Sequence, residues 1–261
     1  MKVRIIEKKG EKLSFVLEET TPAFANALRR IMVSEVPTMA VETVDMSENN
    51  SALFDEVIAH RIALIPIEFD PEKFNFMDEC KCEGKGCPLC QVVFVLEKTG
   101  PGIAYSGDMK SSNREVKPTD PNFPIVELLK GHNIKFEATA RLGTGLRHAK
   151  FQAANVSYQY YPELRLSEGA SAKDIEKGVK ACPKGALSMK GSKPSLDSEL
   201  CNLSKSCEAA SNGAIKVNGD ETKFIFRVES VSGLDPEYIV QKASEILAGK
   251  AENFKKELKD I

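Results

Sequence analysis

The sequence contains no tryptophan, and only 7% of its residues are aromatic. Because proteins that bind single-stranded nucleic acid stack its bases on aromatic side chains, this scarcity argues against that function. Lysine and arginine (36) nearly balance aspartate and glutamate (38), which leaves a formal net charge of −2. Neither nonspecific nor direct sequence-specific binding of nucleic acid is therefore expected to be the main function.

The chain also lacks a long uninterrupted apolar run at its start. Residues 1–7 alternate charged and apolar side chains, a pattern that neither a signal peptide nor a membrane span shows. We therefore expect a cytoplasmic protein. With 261 residues, 42% of them hydrophobic, the chain can bury a sizeable core and contain more than one structural unit.

The N-terminal residues predict a β-hairpin followed by a helix. Apolar and polar residues alternate on either side of a turn at residues 9–11, so we expect one face of the hairpin to be buried. Thr21 can cap the helix, Pro22 suits its first position, and Pro37 marks where it has ended. The apolar residues that define these elements are Val3, Ile5, Leu13, Phe15 and Leu17 in the hairpin, and Phe24, Leu28 and Ile31 in the helix.

Strand patterns dominate the middle of the chain. Residues 41–151 contain many short β-type runs separated by glycine, proline, asparagine and aspartate, and they predict an irregular, strand-rich domain. Within it, residues 107–122 are polar and are expected to form an exposed loop. Residues 168–222 predict a small inserted module. Residues 222–231 then alternate again and can extend the sheet of the N-terminal hairpin, which makes the first domain discontinuous.

A long C-terminal helix is the most regular element predicted. Asp235 can cap it, Pro236 suits its first position, and the helix would extend about 39 Å to the last residue. Two interpretations of its apolar seam are open: the seam packs on the protein's own core, or a partner covers it. We favour the partner, because such a helix exceeds the reach of a small domain. The seam consists of Val240, Ala243, Leu247, Ala251, Phe254, Leu258 and Ile261.

Four of the seven cysteines, Cys80, Cys82, Cys87 and Cys90, lie within eleven residues. Glycines and a proline between them allow the backbone to fold back, so that all four thiolates can reach one ion. Four sulfur ligands are typical of a closed structural zinc site. The alternatives are reduced free thiols and a redox pair. The redox pair is disfavoured because no strand-to-helix start precedes the last two cysteines.

The other three cysteines, Cys182, Cys201 and Cys207, match part of a ferredoxin pattern. Bacterial-type ferredoxins carry C-x2-C-x2-C-x3-C-P runs in duplicate, and the fourth cysteine of one run binds the cluster of the other run. Three thiolates suit a 3Fe-4S cluster, a 4Fe-4S cluster completed by Ser204 or an outside ligand, or a remnant that holds no iron. The remaining ligand positions of the two runs are occupied by Ala172, Ile175, Gly178, Ser204 and Ser211.

Three stretches resemble the D subunit family of archaeal RNA polymerase and, more distantly, the eukaryotic third-largest subunit and the N-terminal domain of the bacterial alpha subunit. The first comprises FANALRRI (24–31) and VPTMAV (36–41), the second is NNSALFDEVIAHRIALIP (49–66), and the third is ARLGTGLRHAKF (140–151). They occur in order across the first 151 residues. The ferredoxin-like insertion and the long C-terminal helix complete the resemblance.

The resemblance implies an α+β fold with three parts. A discontinuous, alpha-type dimerisation domain would comprise residues 1–40, 152–167 and 223–261. A strand-rich insert domain at residues 41–151 would carry the four-cysteine loop, which has a parallel in the eukaryotic homologue. The ferredoxin-like module (4Fe-4S type) would occupy residues 168–222.

The resemblance also implies a non-catalytic assembly subunit. Such a subunit pairs with subunit L, is joined by the small subunits N and P, and forms a platform for the second-largest subunit. Its assembly helix would present Asn26, Arg29 and Arg30. The C-terminal seam would contribute partner contacts through Val240, Leu247, Phe254 and Leu258.

Two other functions fit parts of the sequence. A ferredoxin-type iron-sulfur electron-transfer protein would explain only the inserted module, and the near-neutral charge disfavours a zinc-containing protein that binds nucleic acid. Polymerase chemistry itself requires clustered carboxylates around two magnesium ions. The sequence has no Asp-x-Asp-x-Asp run, so we predict no catalytic residues.

Overall fold

The structure, a computed structural model, describes residues 1–191 and 193–259. It has the mixed α+β fold that the sequence predicts, and it divides into two compact units. The first unit comprises Met1–Arg29 and Val156–Val228, and the second comprises Arg30–Asn155 and the chain from Glu229 onward. No helix within the described ranges is long and apolar enough to cross a membrane.

Five helices and fourteen strands make up the described chain. The helices are α1 (Pro22–Ser34), α2 (Asp55–Ala63), α3 (Ala172–Lys180), α4 (Ser206–Ala210) and α5 (Pro236–Glu257). The strands are β1 (Lys2–Lys9), β2 (Lys12–Glu18), β3 (Thr38–Asn49), β4 (Ile67–Glu68), β5 (Gln91–Thr99), β6 (Gly102–Tyr105), β7 (Lys110–Ser111), β8 (Lys117–Pro118), β9 (Pro124–Leu128), β10 (Asn133–Gly143), β11 (Ala154–Leu166), β12 (Leu187–Lys190), β13 (Lys193–Leu196) and β14 (Ile215–Ser230).

A four-stranded sheet in the order β1-β2-β14-β11 contains the predicted hairpin. β14 includes the strand predicted at residues 222–231 and lies beside β2, so the predicted extension of the hairpin's sheet is confirmed. Phe15 stacks on Phe226 with ring centroids 5.0 Å apart, and Tyr158 meets Phe224 edge to face at 5.6 Å. The first of these contacts joins segments near opposite ends of the sequence.

The prediction that the hairpin has one buried face is wrong. β2 lies inside the sheet between β1 and β14, and it buries the consecutive residues Phe15, Val16 and Leu17, which point to both faces. β1 is the edge strand, and its Val3 and Ile5 are 63% and 57% exposed. The alternation in β1 therefore marks a face that the described chain leaves largely open.

Helix α1 begins where the sequence predicts. Pro22 is its first residue, and the Thr21 hydroxyl accepts a hydrogen bond from the Phe24 N–H at 3.3 Å. Leu28 and Ile31 of the predicted stripe are buried, whereas Phe24 is only half-buried. The cap and the proline together position the start of the helix.

The second unit contains the strand-rich region. β10 is the inner strand of a sheet in the order β3-β10-β5-β7 and pairs antiparallel with both neighbours. Phe94 and Phe136 from this sheet are fully buried. Helix α2 buries Ile58 and Ile62.

The segment predicted as an exposed loop, residues 107–122, is better anchored than expected. It contains the short strands β7 and β8, which pair with β5 and β4. Met109 and Val116, its two apolar side chains other than proline, are both buried. The loop prediction is therefore only partly right. The segment has no hydrophobic periodicity, but two single apolar side chains anchor it to the core.

Helix α5 starts as predicted but ends earlier. The Asp235 side chain accepts a hydrogen bond from the Glu237 N–H at 2.8 Å, and Pro236 is the first helical residue. The helix ends at Glu257, so Leu258 of the predicted seam is its C-cap. The Leu258 N–H hydrogen-bonds to carbonyls in the last turn, and this closes the helix. Ile261, the last residue of the predicted seam, lies outside the described residues.

The predicted module at residues 168–222 has its own small core. Helices α3 and α4 and the antiparallel pair β12–β13 fall within it. These elements surround one hydrophobic cluster. Its buried members are Ile175, Ala186, Leu187, Cys201, Cys207, Ala214, Ile215 and Val217.

Candidate metal centre and assembly surface

The loop that leads into β5 brings Cys80, Cys82, Cys87 and Cys90 together. The sulfur atoms of Cys80 and Cys87 are 3.5 Å apart, those of Cys82 and Cys90 are 3.6 Å apart, and those of Cys87 and Cys90 are 3.8 Å apart. A tetrahedral zinc ion with Zn–S bonds of about 2.3 Å separates its sulfur ligands by about 3.8 Å. The four thiols therefore fit a single zinc ion.

Local backbone geometry explains why the loop can close. Gly86 has a φ of +85°, a conformation that favours glycine, and a Cβ atom there would also displace the end of the Gln91 side chain, which would lie 2.5 Å away. The Cys87 carbonyl accepts hydrogen bonds from the N–H groups of Cys90 and Gln91, both at 3.0 Å. The Cys87 N–H in turn donates to the Cys90 sulfur at 3.3 Å. These bonds fix the C-terminal pair of ligands at the start of β5.

The thiols differ in how readily they ionise. Burial opposes ionisation of Cys82, but hydrogen bonds to its sulfur from Cys80, Cys90 and the Gly86 N–H outweigh it and lower its pKa to about 7. Burial raises the pKa of Cys90 to about 12. One thiolate is therefore favoured near neutral pH, whereas ionisation of all four requires a cation to balance their charge.

The second set of cysteines is held differently. Cys201 and Cys207 are buried in the core of the module, and Cys182 packs against its edge. Burial raises the pKa of Cys207, and the charges of Cys182 and Cys201 raise it further. Among the described residues, only the Cys80–Cys90 loop brings three or more such ligand atoms within 4.8 Å of one another. A multi-iron cluster spaces its thiolates more widely than a single ion does.

Ser204 and Ser211, at the positions of two missing ligands, have different surroundings. Ser204 is exposed, and its hydroxyl oxygen accepts a hydrogen bond from the Ser206 hydroxyl at 3.3 Å. Ser211 is buried, donates to the Glu208 carbonyl at 3.2 Å and accepts from the Ile215 N–H at 3.0 Å. The Ser211 hydroxyl therefore uses both of these hydrogen bonds to bind backbone groups around α4.

Three positions of the ferredoxin pattern that lack cysteine, Ile175, Gly178 and Ser211, pack closely within the module. Gly178 approaches Ser211 so closely that a Cβ atom on the glycine would lie 2.8 Å from the serine Cβ. Ile175, at another former ligand position, is buried in the same hydrophobic cluster. Side-chain and backbone atoms of the module therefore occupy the space around these three positions.

The predicted partner seam emerges from the core along α5. Val240 and Leu247 are half-buried, whereas Phe254 is 65% exposed and Leu258 is 54% exposed. All residues from 251 to 259 are exposed. The end of the helix therefore presents large apolar side chains that nothing in the described chain covers.

A salt bridge holds α5 just before this exposed end. Nζ of Lys250 lies 2.6 Å from Oε1 of Glu35, which directly follows α1, and it also contacts the other carboxylate oxygen. Glu35 is largely buried. Sequence reasoning missed this pair, because no local pattern connects two residues so far apart in the chain.

The predicted assembly residues of α1 are exposed or half-buried. Asn26 and Arg30 are exposed, and Arg29 is half-buried. Nη2 of Arg29 donates to Oδ1 of Asn26 at 3.2 Å. Arg29 is thus held in place within its own helix, and the role of all three residues remains a prediction.

Helix α2 carries a second apolar surface that sequence reasoning did not single out. Its buried residues are Ile58 and Ile62, but Phe54 is 79% exposed, and Val57 and Leu64 are also exposed. A signal was present in the sequence, because residues 57 and 64, seven positions apart, lie on one helical face that is distinct from that of 58 and 62, and Phe54 directly precedes the helix. Exposed patches of this kind mark interaction sites.

The sequence of residues 14–251 matches the family model of the RNA polymerase Rpb3/Rpb11 dimerisation domain. The match covers most of the chain, which therefore belongs to this family of RNA polymerase dimerisation proteins. More particularly, the chain is similar to archaeal proteins named DNA-directed RNA polymerase subunit Rpo3. The protein from Archaeoglobus fulgidus is 40% identical over 262 residues, covering 99% of this chain and 98% of that protein.

Two further relatives carry the same name. The protein from Methanothermobacter thermautotrophicus is 40% identical over 258 residues, which cover 97% of each chain. The protein from Pyrococcus horikoshii is 38% identical over 264 residues, covering 100% of this chain and 99% of that protein. The predicted resemblance to the D subunit family is confirmed.

Proposed function

We propose that the chain is a non-catalytic assembly subunit of archaeal DNA-dependent RNA polymerase and that it pairs with a subunit of the L type. The uncovered apolar end of α5 is the observation that supports this proposal most directly. Burying a large apolar side chain contributes about 1.5–3 kcal/mol, so Phe254 and Leu258 together supply a substantial part of a binding energy. Membership of a dimerisation family supports the same use of the helix.

The α2 surface, defined by Phe54, Val57 and Leu64, is assigned in this proposal to a later assembly step. It lies within the stretch 49–66, which resembles the family most extensively. The second-largest polymerase subunit is the partner that we place there, with the small subunits N and P joining elsewhere. No catalytic role is assigned to any residue of the chain.

Mixing the purified chain with an archaeal L subunit tests the proposal. We expect one complex to elute with the combined mass of one copy of each chain, because the exposed seam is then covered. Light scattering during size-exclusion chromatography measures that mass. Two separate monomer peaks at micromolar concentrations would contradict the assembly function.

Zinc is the metal that we assign to Cys80, Cys82, Cys87 and Cys90. Four thiolates in a closed tetrahedral set leave no open position for a substrate, so the ion is structural. It holds together a loop that has little hydrophobic core of its own. The spacing of the sulfurs supports this assignment.

An iron-sulfur cluster is proposed for Cys182, Cys201 and Cys207, of the 3Fe-4S type or of the 4Fe-4S type with Ser204 as a further ligand. The convergence of the three cysteines on one core supports it, and the exposure of Ser204 leaves that side chain free to turn. Anaerobic reconstitution with iron and sulfide is expected to give about three or four iron atoms per chain. No retained iron would contradict the cluster, and a redox-active monomer would favour the ferredoxin-type electron-transfer function.

A further inference from the structure

A cavity of about 480 Å³ that contains two arginines lies beside the four-cysteine loop in the second unit. Residues 76–78 and Gly84 form one wall, and residues 141–144 together with Arg147 form the other. Gly84 belongs to the four-cysteine loop. The metal site therefore shapes one side of the cavity.

Arg141 is the most unusual residue of the cavity. It lies in β10 and is paired with Ala40 in β3 and with Gln91 in β5, so its backbone is fixed from both sides. Its Nε is buried and has no hydrogen-bond partner among the described residues. Because a buried charged donor is costly to leave unpaired, such an atom indicates an acceptor supplied from outside.

The carboxylate of Glu42, whose charge Arg141 senses, does not meet this need. Glu42 forms salt bridges with Arg147 through one oxygen and with Lys150 through the other. Arg141 influences Glu42 only through the charge between them. The cavity itself is lined by two arginines, Arg141 and Arg147, and by one carboxylate, Asp78, so its lining retains one positive charge in excess.

We propose that this cavity binds a glutamate or aspartate side chain from another polymerase subunit, an inference that rests on the proposed assembly function. The Nε edge of a guanidinium binds a carboxylate through two parallel hydrogen bonds. Half-buried Phe76 and Met77 line the same cavity and suit the aliphatic part of an acidic side chain. A run of phosphates fits less well, because Asp78 and Glu42 would repel it.

Reconstitution of the polymerase from purified subunits tests the proposal. The Arg141→Met variant is expected to pair normally with subunit L and to retain one zinc per chain, while the yield of complete polymerase falls at least tenfold. Arg141→Lys keeps the positive charge but cannot form two parallel hydrogen bonds to a carboxylate, so it should recover only part of the yield. Arg114→Met removes an exposed arginine that lines a different depression, and it should assemble like the unaltered chain.

A photo-crosslinker identifies the ligand. With p-benzoylphenylalanine in place of Thr144, adducts are expected in an acid-containing segment of another subunit, mapped by mass spectrometry. Normal assembly of Arg141→Met overturns the proposal and leaves the pairing function untouched. Loss of pairing with subunit L in that variant overturns it as well, because Arg141 would then support the fold. Arginine-dependent binding of inorganic phosphate with normal assembly would show a free-anion site instead.

Discussion

Replacing both Phe254 and Leu258 with aspartate is expected to raise the Kd for subunit L at least about 1000-fold. Both side chains are exposed, at 65% and 54%, so the change removes apolar contacts at the interface without opening the core. The two new carboxylates would also lose water on binding. Isothermal titration calorimetry measures the loss, and the melting temperature of the single chain should move by no more than a few degrees.

Phe54→Asp is the matched control for this experiment. Phe54 is even more exposed, at 79%, and is the residue just before α2, so its replacement should leave the affinity for subunit L within about twofold of the original. It should impair only the later addition of the second-largest subunit. Equal weakening of L binding by both changes would show that the effect is not specific to the seam, and unchanged binding with the double aspartate variant would refute the seam as the interface.

Cys90→Ser is expected to abolish tight zinc binding and to release the loop between residues 76 and 91. Cys90 is the most buried of the four ligands, and its sulfur accepts a hydrogen bond from the Cys87 N–H. Structural zinc sites contribute on the order of 10 kcal/mol of binding energy, so losing one of four ligands removes a large share of the stability of the loop. Zinc released to a chromogenic chelator should fall from one equivalent per chain to none, and the loop should become sensitive to trypsin.

Cys207→Ser provides the comparison, because Cys207 lies in the module and not in the loop. That variant should keep its zinc and the protease resistance of residues 76–91. Retention of a full equivalent of tightly bound zinc by Cys90→Ser would show that three thiolates suffice. Equal loss from both variants would point to general unfolding.

Elements defined by local chemistry were predictable from the sequence. Thr21 with Pro22, and Asp235 with Pro236, mark the starts of α1 and α5 because capping depends only on neighbouring residues. The four-cysteine loop was predictable for the same reason, since all of its ligands lie within eleven residues.

Features that depend on distant segments could not be predicted in the same way. The burial of both faces of β2 requires β14 beside it, and the Glu35–Lys250 salt bridge joins residues that only the fold brings together. The commitment of Ser211 to the backbone of α4 likewise needs three-dimensional neighbours. Arg141 appeared in a matched stretch, but its unpaired Nε is a property of burial that no sequence pattern encodes.

The position of β14 beside β2 determines the order in which the chain can fold on the ribosome. β2 leaves the exit tunnel early, but its inner neighbour in the sheet is made only after residue 215. At about 5–20 residues per second, the hairpin waits on the order of 10–40 s with Phe15, Val16 and Leu17 uncovered. By contrast, β3, β5 and β10 all emerge by residue 143, so their sheet can form first. The nascent chain therefore exposes the apolar residues of β2 until β14 has been made. A chaperone is most useful during that interval.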